Sequence, residues 1–140
     1  MIDFFIRPCT ANDQGPVIDL WAAAGLTRPW NDPAADFSRA ISGLCSAVLV
    51  GISDGSIVSC VMVGEDGHRG WVYYLGVQPD LQGNGFGKRT LQAAEGWLRT
   101  RGVEKVNLLV RSSNAAGQEF YEEFGYRCSD VVCLQKPLTD

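Results

Sequence analysis

Seven residues, Gln82-Gly83-Asn84-Gly85-Phe86-Gly87-Lys88, separate an unbroken apolar run from an amphipathic one, and they restrict the fold more than any other part of the chain. The run before them, Trp71-Val72-Tyr73-Tyr74-Leu75-Gly76-Val77, is apolar on both faces and reads as a central strand covered on both sides, ended by Pro79. After them Gly87, Leu91, Ala94 and Leu98 recur at helical spacing, Arg99 and Arg101 fall in the last turn, and Gly102 lies beyond. Three glycines at alternate positions let the main chain turn so that its N–H groups converge. The helix that starts there adds about half a positive charge. Such a loop suits a cluster of anionic oxygens, and a pyrophosphate is the expected occupant.

Phosphate loops of three kinds can be compared with it. A Walker A loop needs four residues between its first glycine and the Gly-Lys pair. Gly83 leaves three, and Arg89 stands where a hydroxyl would meet magnesium. A dinucleotide fingerprint needs its third glycine one residue later and an acidic residue at the end of the next strand, where Val110-Arg111 stands instead. A Q/R-x-x-G-x-G/A loop is matched without a gap by Gln82, Gly85 and Gly87. A merely tight strand-to-helix turn accounts for one or two of the glycines, not three.

The rest of the chain reads as one domain, residues 1–140, without linker, repeat or low-complexity segment. Ile2 to Arg7 has strand composition. Thr10 with Asp13 forms a capping-box start for a helix through about Ala24, closed by Gly25. Asp32 as cap and Pro33 at the first helical position announce a second helix to about Leu44. Ala47 to Ile52 and Ile57 to Val63 flank Asp54-Gly55, a strong hairpin signal. A strand over Lys105 to Val110 precedes a helix from about Ala115 to Phe124, with Gly117, Phe120, Tyr121 and Phe124 on one face and Gly125 as the stop. Tyr126 to Cys128 and Val131 to Gln135 make a closing hairpin. The expected order is β-α-α-β-β-β-α-β-α-β-β, a mixed α/β domain with about seven strands, about four helices and at least one β-α-β crossover.

Composition removes other classes. Twelve basic against sixteen acidic residues, a net charge of −4, argue against nucleic acid as a partner. No apolar run approaches the ~20 residues of a membrane span, and Met1 to Arg7 lacks the pattern of a signal peptide. Five cysteines without a C-x-x-C pair read as buried free thiols in a reducing cytoplasm, and a single histidine, His68, makes a metal site an unlikely expectation to build on. No metal is expected.

With Gln82, Gly85 and Gly87 placed, further segments fall into line. Tyr74-Leu75-Gly76-Val77 with Pro79, Asn114 after the next strand, and Phe120-Tyr121-Glu122-Glu123-Phe124-Gly125-Tyr126 together resemble the GNAT superfamily, the Gcn5-related N-acetyltransferases, over nearly the whole chain. Arg28-Pro29-Trp30-Asn31-Asp32-Pro33 and Asp66-Gly67-His68-Arg69-Gly70 resemble a bacterial subgroup, the YpeA-type acetyltransferases. The resemblance implies a GNAT-like mixed, mostly antiparallel sheet and acetyl-CoA as co-substrate. It implies that the backbone of Leu75, Gly76 and Val77 pairs with pantetheine and that an N–H near Leu75 polarises the thioester carbonyl. Gly83, Asn84, Gly85, Phe86, Gly87 and Lys88, introduced by Gln82, would hold the pyrophosphate. Asn114 would meet pantetheine. Tyr121 stands where the family often keeps an acid for the departing thiolate, and equally where a core aromatic would sit.

The implied reaction is direct attack of a neutral primary amine on the thioester. A lysine ammonium is about 0.04% neutral at pH 7, an α-amine about 10–20%. Family members that acetylate protein amines often carry a strand glutamate, and Trp71 and Leu109 occupy the matching positions here. Glu65, Asp66, His68 and Asp32 are the substitutes nearest in sequence, each also an ordinary turn or cap residue, and a water chain is the other route. The expected acceptor is therefore a small molecule or an N-terminal α-amine. Arg28, Trp30 and Asn31 would form one lip of its pocket, with Trp30 packing over the first helix as the plainer role. Tyr73 and Tyr74, being adjacent, are expected on opposite strand faces, so that only one lines the pocket. The missing carboxylates leave open a CoA-binding sensor with little catalysis, and a transferase of longer acyl groups is a further alternative. A homodimer is the assembly to look for.

Overall fold

A computed structural model describes residues 3–139, so the part of the expected first strand at Ile2 lies outside the described residues. The elements are β1 (Phe5–Pro8), α1 (Gln14–Ala23), α2 (Pro33–Ser42), β2 (Ser46–Ser53), β3 (Ser56–Glu65), β4 (Gly70–Val77), α3 (Phe86–Thr100), β5 (Val106–Leu108) and α4 (Ala115–Glu123). Short 3-10 turns over Ala11–Asp13 and Pro79–Leu81 precede α1 and the glycine loop. The chain divides into two compact units, Met1–Leu109 and Val110–Asp140.

In the first unit a five-stranded sheet runs in the order β1-β2-β3-β4-β5. The first three pairings are antiparallel and β4 with β5 is parallel, as the crossover through α3 requires. Asp54 and Gly55, at φ 50° and 76°, make the two-residue turn between β2 and β3, both left-handed as that turn demands. Pro8 lacks an N–H and is tolerated because β1 is an edge strand.

Local chemistry starts each helix. The Thr10 N–H donates to Asp13 Oδ2 at 2.8 Å, completing the capping box, and Arg7 clamps the same carboxylate at 2.8 and 3.0 Å. The guanidinium holds the Asp13 carboxyl down at about 2. Asp32 Oδ1 accepts from the Ala35 N–H at 3.2 Å and caps α2, with Pro33 next.

Side chains of α1 and α2 cover one sheet face. Val17, Leu20 and Trp21, with Phe37 and Ala40, bury Val48, Val50, Ile52 and Cys60. On the other face α3 buries Phe86, Leu91, Ala94 and Leu98. Burying one such side chain contributes about 1.5–3 kcal/mol, so a core of this size holds the fold without a disulfide. At Gly70 an added Cβ would meet the Leu98 side chain, so only glycine lets α3 lie this close to β4.

Several expectations change. Five strands are described rather than about seven: the closing hairpin over residues 126–135 does not form. Its turn, Ser129-Asp130, supplies no glycine for the left-handed turn that a tight hairpin favours. β4 is flanked on both sides only along its first three residues, and Tyr73 is 44% exposed, so the strand is not covered throughout. Of the cysteines only Cys60 is buried. Cys9 is half-buried, and Cys45, Cys128 and Cys133 are exposed.

Candidate active site

A break in the ladders of β4 organises the first unit's chemistry. Met62 pairs with Tyr73 and Cys60 with Gly76, so Val61 of β3 stands opposite two residues, Tyr74 and Leu75. The two form a β-bulge, and Tyr74 takes φ 54°, a left-handed conformation that costs a non-glycine residue about 1–2 kcal/mol. The pairing of β4 with β5 ends at Val72 and Leu108. Tyr74 and Leu75 therefore have no ladder partner on either side.

The bulge corrects the expected alternation. Tyr73 is cross-strand from Met62, which packs on the α1–α2 core, and Tyr74 stacks on Trp21 of α1 at 3.9 Å between centroids. Both rings thus lie on the α1–α2 side, because the extra residue shifts the period of two. The ring of Trp71 runs parallel to that of Tyr73, 6.4 Å away. The Tyr74 hydroxyl donates to Asp36 Oδ2 at 2.7 Å, and the Asn31 side chain lies near this hydroxyl. Burial first, then the Asp36 carboxylate, pushes the phenol well above its ordinary range. The structure thereby brings Asn31 to β4. Asp36 was missed from sequence: only the period of α2 pointed to it, one turn after the Asp32 cap. Underneath, the Cys60 thiol donates to the Tyr74 carbonyl at 3.4 Å, and burial drives that thiol up to about 12. The buried Trp21 indole N–H has no oxygen or nitrogen acceptor among the described residues, and the Cys60 sulfur is its soft neighbour.

The glycine loop begins where β4 ends. Gly83 and Gly85 sit at φ 86° and 81°, and Gly85 precedes α3 with no side chain capping the helix. Gly85 thus offers the first N–H groups of α3 no side-chain acceptor. A Cβ placed at Gly83 or Gly85 would meet nothing within 4 Å, which leaves room around the loop's backbone. The side chains stabilise the turn: Asn84 Nδ2 donates to the Leu81 carbonyl at 2.8 Å and Gln82 Nε2 to the Val77 carbonyl at 3.5 Å. Below, Thr90 donates to the Phe86 carbonyl, and its hydroxyl lies 2.7 Å from that of Ser59, which pairs with Val77. This buried pair fastens the start of α3 to β3, beside the end of β4. Phe86 stacks on Phe4, over which the Arg89 guanidinium lies at 4.5 Å.

The remaining expected residues divide. Asp66 accepts from the His68 and Arg69 N–H groups and from Trp71 Nε1, and the backbone bonds hold its carboxyl below the usual range. Glu65 accepts from the Gly67 N–H at 2.8 Å, and His68 Nδ1 lies 3.4 Å from Arg69. Trp30 is 69% exposed, and Arg28 donates to the carbonyls of Gly25 and Thr27. Asp32 and Asp66 thus serve turns and caps. In the second unit Asn114 Oδ1 accepts from the Gly117 N–H at 2.9 Å as the cap of α4. Tyr121 packs edge-on against Phe120 and Tyr126, and burial raises its hydroxyl to about 12. No metal-ligating cluster occurs among the described residues.

Residues 17–126 match the model of the acetyltransferase (GNAT) family. An acetyltransferase of Yersinia enterocolitica is 42% identical over 133 residues, covering 95% of this chain and 94% of its own length. Among solved structures, AAC(6')-Iy in complex with the bisubstrate analog CoA-S-monomethyl-acetylneamine superposes with a TM-score of 0.84 at 14% identity, covering 98% of this chain and 99% of its own. The ribosomal-protein-S18-alanine N-acetyltransferase of Escherichia coli gives 0.77 at 24% identity, covering 88% and 77%. These two share the fold.

Proposed function

This chain belongs to the acetyltransferase (GNAT) family, and from that premise we propose that the loop from Gln82 to Lys88 holds the diphosphate of acetyl-CoA while the bulge at Tyr74–Leu75 receives its thioester. The protein is an acetyl-CoA-dependent N-acetyltransferase. The observation that carries the geometry is the pair of unpaired residues at the bulge, on the strand whose end leads through the glycine loop to an uncapped helix N-terminus. The pantetheine arm adds along the free edge of β4 at Leu75, Gly76 and Val77, in the manner of an extra strand. The Leu75 N–H then donates to the thioester carbonyl and stabilises the oxyanion as the amine attacks. The N–H groups from Gly83 to Lys88 take the diphosphate.

The nitrogen lone pair forms the new C–N bond, the C–S bond breaks, and the thiolate leaves. Tyr121, which the family resemblance puts forward as the acid for that thiolate, is raised by burial to about 12 and so stays protonated throughout the working range. Asn114, its Oδ1 engaged in the cap, presents its amide to pantetheine. The whole chain acts as one domain, since the family match runs through the boundary at Leu109. The acceptor is a primary amine, on a small molecule or at a protein N-terminus. The solved relatives whose names state an acceptor, an aminoglycoside and the alanine of ribosomal protein S18, support that class. Its proton leaves through water, since Asp32 and Asp66 are committed elsewhere. Acetyl-CoA use and an odd number of cysteines support a cytoplasmic location. The active species is the single chain or its homodimer.

Calorimetry with acetyl-CoA, followed by free-thiol release in the presence of an amine panel, tests this. Micromolar binding and amine-dependent release are expected. Absence of binding refutes the donor site, and succinyl-CoA turned over faster than acetyl-CoA refutes the acyl preference.

A further inference from the structure

Resting on the transferase reading above, we infer that Asp36 anchors a second, non-reacting ammonium of the acceptor, so that the enzyme selects diamines and longer polycationic amines over monoamines. α3 covers one face of β4: Val72 is buried and the Gly70 backbone lies against Leu98. The opposite face is open at Tyr73, which is 44% exposed, so an acceptor reaches the bulge there, on the side that carries Trp71, Tyr74 and Asp36.

Asp36 is half-buried, and the partner described for it is a neutral one, the Tyr74 hydroxyl, with the Asn31 side chain near the same oxygen. The ion pair found among the described residues, Arg7 with Asp13, lies elsewhere. A partly desolvated carboxylate compensated by one phenol keeps most of its acceptor capacity. The first turn of α2 favours a negative charge, but Asp32 already caps that helix, and a helix dipole does not require a strained tyrosine aimed at the carboxylate. The strain at Tyr74 holds Asp36 at a fixed distance from Leu75, the length of one tyrosine side chain.

Charge decides which nitrogen binds there. A carboxylate beside an ammonium raises the pKa of the ammonium and keeps it protonated, which disables it as a nucleophile. Asp36 therefore suits the amine that does not react. On the same face of β4, just before the bulge, the parallel rings of Trp71 and Tyr73, 6.4 Å apart, offer an apolar and π-rich surface to the methylene chain and its charges.

The test compares 1,4-diaminobutane with butylamine, equal in chain length and differing in the second ammonium. Wild-type protein is expected to favour the diamine about tenfold or more in kcat/KM, the effect of one partly desolvated charge pair. Asp36→Asn keeps an acceptor for the Tyr74 hydroxyl, and it should collapse the preference to within about twofold while leaving acetyl-CoA affinity unchanged. Tyr74→Phe, which removes the phenol bonded to Asp36, should narrow the diamine preference a few-fold. Equal use of both amines by the wild type, or a preference that survives in Asp36→Asn, overturns the anchor. Should no amine be turned over, the transferase reading falls by itself. The anchor is then judged by calorimetric binding of the two amines to the CoA-loaded protein, where equal affinities overturn it.

Discussion

The loop proposed to hold the donor and the face of β4 proposed to meet the acceptor are built by different means. Residues 82–88 act through main-chain N–H groups, and their geometry follows from a handful of consecutive residues, two of them left-handed glycines. The β4 face is made of side chains from four segments, Asn31, Asp36, Trp21 and, on β4, Trp71, Tyr73 and Tyr74, and Tyr74 joins them only because one residue too many has been placed in β4. A site made of backbone is written locally. One made of side chains depends on the register of the sheet.

Substitutions can break that contrast, and the largest effect belongs to the loop. Gly85→Val forces a β-branched residue to φ 81° where nothing would clash, so the conformation itself must change. Acetyl-CoA affinity should fall about a hundredfold or more by calorimetry, with far-UV circular dichroism retained. A fall of less than about threefold would mean that the loop does not grip the diphosphate. Next comes Tyr121→Phe, which removes the hydroxyl put forward as the acid for the leaving thiolate. Turnover should drop about tenfold with unchanged CoA affinity, and unaltered turnover would strike Tyr121 from the mechanism.

Smaller is the change at the fastening between the two regions. Ser59→Ala leaves Thr90 its bond to the Phe86 carbonyl but removes its buried partner, and should cost about 1–2 kcal/mol in urea unfolding. A rise in the KM for acetyl-CoA without an effect on amines would show that the damage passes to the loop alone. The least effect on function is expected at Asp13, remote from both. Its carboxyl sits lower in the folded chain, near 2, than its ordinary 3.8, so its contribution to stability is complete above pH 4 and lost as pH falls toward 2. Asp13→Asn should flatten that part of the acid-unfolding curve and leave neutral-pH kinetics intact. An identical acid limb in both proteins would remove the Arg7 clamp from the account.

The same contrast explains what could be read from the sequence. The capping box at Thr10, the Asp32-Pro33 start, the Asp54-Gly55 turn and the strand-loop-helix at residues 70–100 all depend on near neighbours, and each was legible. The bulge was not, since it exists only as a mismatch between β3 and β4, and the alternation rule therefore put Tyr73 and Tyr74 on opposite faces. Asp36 was hidden for the same reason. The closing hairpin over Tyr126 to Cys128 and Val131 to Gln135 does not form, because Ser129-Asp130 offers no glycine to reverse the chain.

Cys45, Cys128 and Cys133 stand at the surface as thiols. Molecules stored in air will cross-link through them, and a covalent dimer on a non-reducing gel will then carry no information about the working assembly. Only a dimer that persists with fresh dithiothreitol in the buffer reports on how many chains the enzyme uses.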